Sequence, residues 1–306
     1  MTSPAHRMNQ DLTDSLRYAL ASPTYRPPML PGVALEVMQL SRSTDEVELA
    51  DVVNLLERDP VLAARVLGIA QSAAYTRRGS VTSLLQAAVR LGLETLSQVV
   101  VQAALELKLF RAPGYEKFAV RLNHHATATA HVTRDVCKRA GLPAEQGFMC
   151  GLLHDIGFAA SLTVAIELGV ELGVTDFEDL APSLDVVHAE VSGLLARRWK
   201  LPEPIVQVVS THHHADVNGE PRPMNAAVIL AEQFCWEAGA GMLPPPEKVD
   251  LGAPGCPPQP MDGLDASWPN VIRQALEVLK LDAAGVKAAR AAAFERVAEV
   301  LPGAKP

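Results

Sequence analysis

Apolar residues recur along this chain at spacings of three and four, which is the period of a helix with one buried face. The first 24 residues carry one modest helix, followed by a proline-rich turn, Tyr25-Arg26-Pro27-Pro28 and then Leu30-Pro31. Ser43 and Glu46 have the spacing of a capping box ahead of Val47, Leu49, Val52, Val53, Leu55 and Leu56. Asp59 before Pro60 is an N-cap followed by proline in the first turn, opening a helix through Leu62, Val66 and Leu67. Thr82 precedes Leu84, Leu85, Ala88, Val89 and Leu91, with Gly92 placed to stop that helix. A further helix passes through Leu96, Val99, Val100 and Leu105 to about Phe110, where Pro113-Gly114 breaks the chain. A long helix is predicted over about 115–140, stopped by Gly141-Leu142-Pro143, and others near 184–199, 203–213 and 225–238. No run of alternating apolar residues lies between turn signals, so no sheet is predicted and the fold class is an all-α, multi-helix bundle.

The pattern changes at about Gly239. Residues 239–266 are rich in proline and glycine and read as a linker or extended surface loop. Helical periodicity returns at 271–279 and in an alanine-rich stretch at about 283–300, which reads as a packing helix with a homodimer contact as its alternative use. The composition, 48% hydrophobic and 20% charged over 306 residues, is that of a globular chain able to bury a core. A net charge of −8 without a dense Lys/Arg stripe argues against direct nucleic-acid binding. Cys137, Cys150, Cys235 and Cys256 form no CxxC pair, which excludes a zinc knuckle or redox motif and fits a reducing cytoplasm. The apolar run from Phe148 to Val170 is long enough to span a bilayer but carries His154, Asp155 and Glu167, so it reads as buried core helix with no membrane role.

That run contains Gly151-Leu-Leu-His-Asp-Ile-Gly157, an imidazole and a carboxylate side by side among apolar residues. Burying such a pair without partners is costly, so other residues are expected to meet it. On the long helix, Phe118, Leu122, His125, Thr129, Val132 and Val136 make one inward stripe. Lys117, Arg121, His124, His131, Asp135 and Lys138 make a polar one, which places His125 inside and His124 and His131 in solvent. His188 shares a face with Leu184, Val191, Leu195 and Trp199, while His212 and His213 follow Val208 and Val209 by one turn, and His214 points outward. Imidazoles from several helices converging with Asp155 suit zinc, iron, manganese or nickel, and a mixed His/Asp set with room for water fits hydrolytic metal chemistry. HExxH, GxGxxG, P-loop and GxSxG motifs are all missing from the sequence. Arg77-Arg78 and Arg197-Arg198 read as solvated charge, Gly79-Ser80 as a turn, and Trp199 as a core residue.

Several phrases, in this order, resemble the HDOD family of the HD metal-phosphohydrolase superfamily. They are LPGVALEVMQL, LLERDPVLAARVLGIAQSAAY, LLQAAVRLGLETLSQVV, LNHHATATA, GFMCGLLHDIG, DVVHAEVSGLLARRWKLPEPIV and VVSTHHHAD. The resemblance covers about Leu30 to Glu237 and implies an HD-type helical bundle with an N-terminal helical subdomain. With the composition and periodicity above, the chain reads as a tail (1–24), an HDOD domain (25–238, divided into 25–112 and 113–238), the linker (239–266) and C-terminal helices (267–306). It also implies a divalent-metal ligand set of His125, His154, Asp155, His188, His212 and His213. Where the superfamily closes with an aspartate this chain has Glu232, one methylene longer. The Gly-Tyr-Pro signature of the cyclic di-GMP phosphodiesterase branch is missing, and Asn218-Gly219-Glu220-Pro221 stands in its neighbourhood.

Two functions follow from the resemblance as expectations. The first is a bacterial-type regulatory module in signal transduction, acting without catalysis through a signalling protein partner. The second is a metal-dependent phosphohydrolase or phosphodiesterase acting on a nucleotide or cyclic dinucleotide. In the second, Asp155 is the catalytic residue, holding a metal-activated hydroxide for attack on phosphorus.

Overall fold

A computed structural model describes residues 4–43, 47–75, 81–109, 114–172, 177–243 and 268–301. Outside them lie Glu46 of the Ser43 capping box, the Arg77-Arg78 charge pair and Gly79-Ser80 turn, Phe110 and Pro113 of the predicted helix end and break, and most of the 239–266 linker. The described residues form helices α1 (Pro4–Ala21), α2 (Gly32–Leu40), α3 (Leu49–Leu56), α4 (Pro60–Ala70), α5 (Leu84–Lys108), α6 (Glu116–Ala140) and α7 (Ala144–Leu153). They continue as α8 (Ile156–Leu172), α9 (Phe177–Arg198), α10 (Glu203–Thr211), α11 (Pro223–Glu237), α12 (Trp268–Leu279) and α13 (Ala283–Val300). A two-residue hairpin, β1 (Asp216–Val217) with β2 (Glu220–Pro221), precedes α11. This small antiparallel pair departs from the expectation of no sheet. Asn218 and Gly219, at φ 57° and 80°, supply the two left-handed residues that a tight hairpin turn needs.

Local chemistry accounts for the helix ends. The Asp59 carboxylate accepts the Leu62 backbone N–H at 3.1 Å, as an N-cap does. At α5 the cap is Ser83, one residue later than expected, accepting from the Gln86 N–H at 3.2 Å. Gly92 does break α5, with φ 74° and ψ 168° inside it. Gly141 ends α6 at φ 68°, and the Leu142 N–H reaches back to the Cys137 carbonyl at 2.9 Å.

The chain divides into two units, one of residues Met1–Asn123 with Asp155–Val206, the other of His124–His154 with Gln207–Pro306. In the first unit α8 packs along α9, and α1 packs on both. Leu12, Leu16 and Leu20 of α1 are buried. Alongside them α5 gathers α2, α3 and α4. Gly157 sits at the closest approach of α8 to α9, where a Cβ would lie 1.9 Å from the His188 carbonyl oxygen.

In the second unit α11 is central, with α7, α12 and α13 against it. Ile229, Leu230 and Phe234 of α11 meet Ile272, Ala275 and Leu279 of α12 and Val286, Ala289, Ala293 and Val297 of α13. Their spacing of three and four is the stripe that the sequence showed, and each large side chain so buried contributes about 2 kcal/mol. The segment expected as 267–306 is therefore docked over its described residues, and Arg296 of α13 bonds Asp135 of α6 at 2.8 Å.

Two stretches, Leu84–Lys108 and Ala144–Gly169, are long and apolar enough to cross a membrane by length and composition. The second is 72% buried within the protein and is interrupted at His154 and Asp155, between α7 and α8.

Candidate metal centre

The second unit brings together five of the seven predicted ligands. His125 comes from α6, His154 from the end of α7, His212 and His213 from the residues after α10, and Glu232 from α11. The Nε2 atoms of His125 and His154 are 3.1 Å apart, and His154 Nε2 is 3.6 Å from Glu232 Oε1. The ring of His212 meets that of His154 edge-on at 5.0 Å between centroids, and His213 meets His212 at 4.2 Å. His154 and His212 are fully buried, His125 is buried, and His213 is half-buried. In the first unit, His188 Nε2 lies 3.3 Å from Asp155 Oδ1, both side chains being buried. Phe158 stacks on the His188 ring with centroids 4.2 Å apart and planes 12° from parallel. The peptide bond between His154 and Asp155 joins the two groups in the chain.

Tautomers follow from the backbone. Nδ1 of His154 faces the Gly151 carbonyl at 2.9 Å, Nδ1 of His188 that of Asp185 at 2.6 Å, and Nδ1 of His212 that of Val209 at 3.1 Å. Nδ1 of His125 faces the carbonyl of Ala240 at 2.9 Å. A carbonyl only accepts, so each Nδ1 donates its proton there, and each ring turns its Nε2 toward the cluster. Fixing one ring nitrogen with a backbone carbonyl is how proteins orient a histidine that binds metal through the other.

This arrangement leaves acceptors facing acceptors. The Nε2 lone pairs of His125 and His154 point at one another, the His154 lone pair faces a Glu232 oxygen, and that of His188 faces Asp155. Only a shared cation, a proton or a metal ion, relieves such contacts. Glu232 Oε2 is buried with no hydrogen-bond partner among the described residues. Where that cation is a proton, burial opposes ionisation of Glu232, but the hydrogen bond and charge of the protonated His154, with His213 and His212, outweigh it and hold the carboxyl below the usual carboxylate range. Ligand atoms of His125, His154 and Glu232 lie within 4.8 Å of one another. Nitrogen and oxygen ligands each about 2.0–2.2 Å from one ion are separated by no more than about 4.4 Å, and the 3.1 and 3.6 Å distances fall inside that limit. The residues present fit a divalent metal, and the mixed imidazole and carboxylate set suits zinc, iron, manganese or nickel.

Other residues fall where the sequence put them, with one exception. His124 and His214 are exposed, as are Arg197 and Arg198, while Trp199 is buried and donates from Nε1 to the Pro28 carbonyl at 3.1 Å. The exception is His131, expected in solvent but 3% exposed and edge-on to Phe148 at 5.1 Å. Residues 125–133 of α6 are buried all round because alanine and threonine at 126–130 and 133 let neighbouring helices close on every side. The Ala240 carbonyl has no signal in the sequence, since a backbone group 115 residues from its partner leaves no trace in periodicity.

The HDOD domain family matches residues 28–215 of the chain. An uncharacterized protein of Treponema pallidum is 27% identical over 241 residues, covering 76% of this chain, which spans about half (46%) of that relative's length. An HDOD domain protein of unknown function from Geobacter sulfurreducens has a similar solved structure, at a TM-score of 0.62 and 24% identity over 95% of this chain and 99% of that one. So has a Shewanella amazonensis protein provisionally named a metal-dependent phosphohydrolase, at a TM-score of 0.64 and 19% identity over 94% and 99%. These structural likenesses are of fold.

Proposed function

This chain belongs to the HDOD domain family, and from that premise we propose that it is a regulatory module of cytoplasmic signal transduction whose helices engage a signalling protein partner and whose His/carboxylate cluster holds a divalent metal without turnover. The ligands of the proposal are His125, His154, His212, His213 and Glu232 in the second unit and Asp155 with His188 in the first. One observation carries it. The innermost ligands are sheltered within each unit: His125, His154 and His212 of the second are 2% exposed or less, and Asp155 and His188 of the first 3% or less. A metal site that keeps a substrate position open needs an approach for the substrate, whereas a closed one suits a structural or sensory ion. Among the described residues the groups that act on Glu232 are the imidazoles of His154, His213 and His212, not the Arg or Lys that a phosphate substrate calls for. The missing Gly-Tyr-Pro signature also counts against cyclic di-GMP as substrate, and the acidic net charge of −8 counts against direct nucleic-acid binding.

The second reading, a metal-dependent phosphohydrolase acting on a nucleotide or cyclic dinucleotide, is favoured by the chemistry of the set. Hard carboxylates with imidazoles are the ligands of hydrolytic centres, and a bound divalent ion there lowers the pKa of a water and polarises phosphoryl oxygens. On that reading Asp155, buried beside His188, orients the nucleophile. Metal analysis followed by a panel of phosphodiesters and nucleotides separates the two. The regulatory reading expects bound metal and turnover no faster than that of Asp155→Ala. Metal-dependent turnover abolished by Asp155→Ala overturns it in favour of the hydrolase.

A further inference from the structure

Three of the buried imidazoles are held by their own stretch of chain: His154, His188 and His212 each bond the carbonyl three residues earlier. His125 differs: the Thr129 hydroxyl of its own helix lies 3.5 Å from its Nδ1, but the nearer partner, the Ala240 carbonyl at 2.9 Å, is 115 residues away and beyond the family match at 28–215. That carbonyl is presented by the end of α11. The helix stops at Ala238, Gly239 takes the left-handed conformation at φ 79°, and the Ala240 N–H returns to the Cys235 carbonyl at 2.8 Å. This six-to-one bond with glycine at the turn is a Schellman closure. It reverses the chain so that the Ala240 carbonyl, in a buried residue, faces the His125 ring. Gly241 keeps the returning chain close, since a Cβ there would lie 2.6 Å from Trp236 Cδ1 and 3.1 Å from Trp236 Cα.

We propose that the Gly239-Ala240-Gly241 cap of α11 is a positioning element of the metal centre, fixing the Nδ1–H tautomer and the ring orientation of His125. The role rests on the metal-binding reading for its consequence, but the tautomer itself is a property of the metal-free protein. The same helix carries Glu232 two turns before the cap, so α11 sets one ligand directly and a second through its terminus. A β-branched residue at φ 79° is a steric outlier, so Gly239→Val forces the cap open and withdraws the carbonyl.

A matched control is built into the same unit. Gly141 ends α6 at φ 68° with the same closure, Leu142 N–H to Cys137 carbonyl, sixteen residues along the helix from His125. Gly141→Val therefore carries the same backbone strain without the positioning role. The test reads ¹⁵N histidine NMR of the full chain stripped of metal and then Co²⁺ affinity by titration, for wild type, Gly239→Val and Gly141→Val. The proposal expects His125 to be Nδ1-protonated in wild type and Gly141→Val, and to lose that single tautomer in Gly239→Val. It expects Co²⁺ affinity to fall about tenfold or more in Gly239→Val and to stay within about twofold of wild type in Gly141→Val. An unchanged His125 spectrum in Gly239→Val, or an equal loss of affinity in both variants, overturns it. If wild type binds no Co²⁺ the metal reading fails, and the NMR comparison alone still decides the positioning claim. Should Gly239→Val fail to fold, Gly241→Ala with its relief variant Gly241→Ala/Trp236→Ala replaces it. The first is expected to disturb the His125 signal and the second to restore it; an undisturbed signal in the first overturns the proposal.

Discussion

Gly157→Ala is expected to destabilise the protein strongly although alanine is the better helix former. The added Cβ would lie 1.9 Å from the His188 carbonyl oxygen and 2.7 Å from the Ser192 nitrogen, both backbone atoms that cannot rotate aside. To restore an ordinary contact of 3.4 Å or more, α8 and α9 must separate locally by about 1.5 Å. Overpacking of this kind costs about 1–3 kcal/mol. Separation also breaks the buried bond from the Gly157 N–H to Ser192 Oγ, 2.9 Å long, which adds about 1–2 kcal/mol. Against this stands a helix-propensity gain of about 1 kcal/mol, leaving a net loss of about 1–4 kcal/mol. Urea unfolding followed by tryptophan fluorescence measures it as a fall in midpoint of about 1 M at an m-value near 3 kcal/mol/M. Ser192→Ala, which removes only the hydrogen bond, should lose about 1 kcal/mol and should not rescue Gly157→Ala. A midpoint for Gly157→Ala equal to or above wild type refutes the packing argument.

The remaining predictions concern the second unit. Burial first, and then the charges of Arg134, Arg296 and Lys138, push the His131 pKa from its ordinary 6.5 down to about 3. The unfolded chain takes up this proton below pH 6.5 and the folded chain does not until about pH 3, so stability is level above 6.5 and declines as pH falls toward 3. The slope from this residue is up to about 1.4 kcal/mol per pH unit, and His131→Leu should flatten unfolding free energy against pH over that window. The Arg296–Asp135 bond joins α13 to α6 at 2.8 Å with both side chains about four-fifths buried; a double-mutant cycle with Arg296→Met and Asp135→Asn should give a coupling of about 1 kcal/mol by chemical denaturation. Chelator treatment should lower the thermal midpoint, because metal at about 100 times its dissociation constant stabilises the native state by about 2.7 kcal/mol.

Much of this was legible in the sequence because the signals are local. The inward placement of His125, His188 and His212 followed from helical spacing, and the Asp59 cap and the Gly92 and Gly141 breaks from residue chemistry. What periodicity missed was set by packing density or by long-range backbone geometry. His131 looked polar because alanine and threonine around it do not register as an apolar stripe, although their small size is what buries it. Asn218-Gly219 is a hairpin signal that went unused because its flanking strands are two residues each. The closeness of Gly157 to α9 and of Ala240 to His125 joins positions 31 and 115 residues apart, and a sequence without its fold does not show which backbone atoms meet.

The central claim is that the cluster is a metal centre, and binding tests it most directly. Metal content of the purified protein and Co²⁺ titration of the stripped protein should be measured for wild type, His154→Ala and Glu232→Ala, with far-ultraviolet circular dichroism confirming that each is folded. The account predicts that wild type binds divalent metal and that affinity drops by tenfold or more in each variant. Wild-type binding no tighter than that of folded His154→Ala contradicts it.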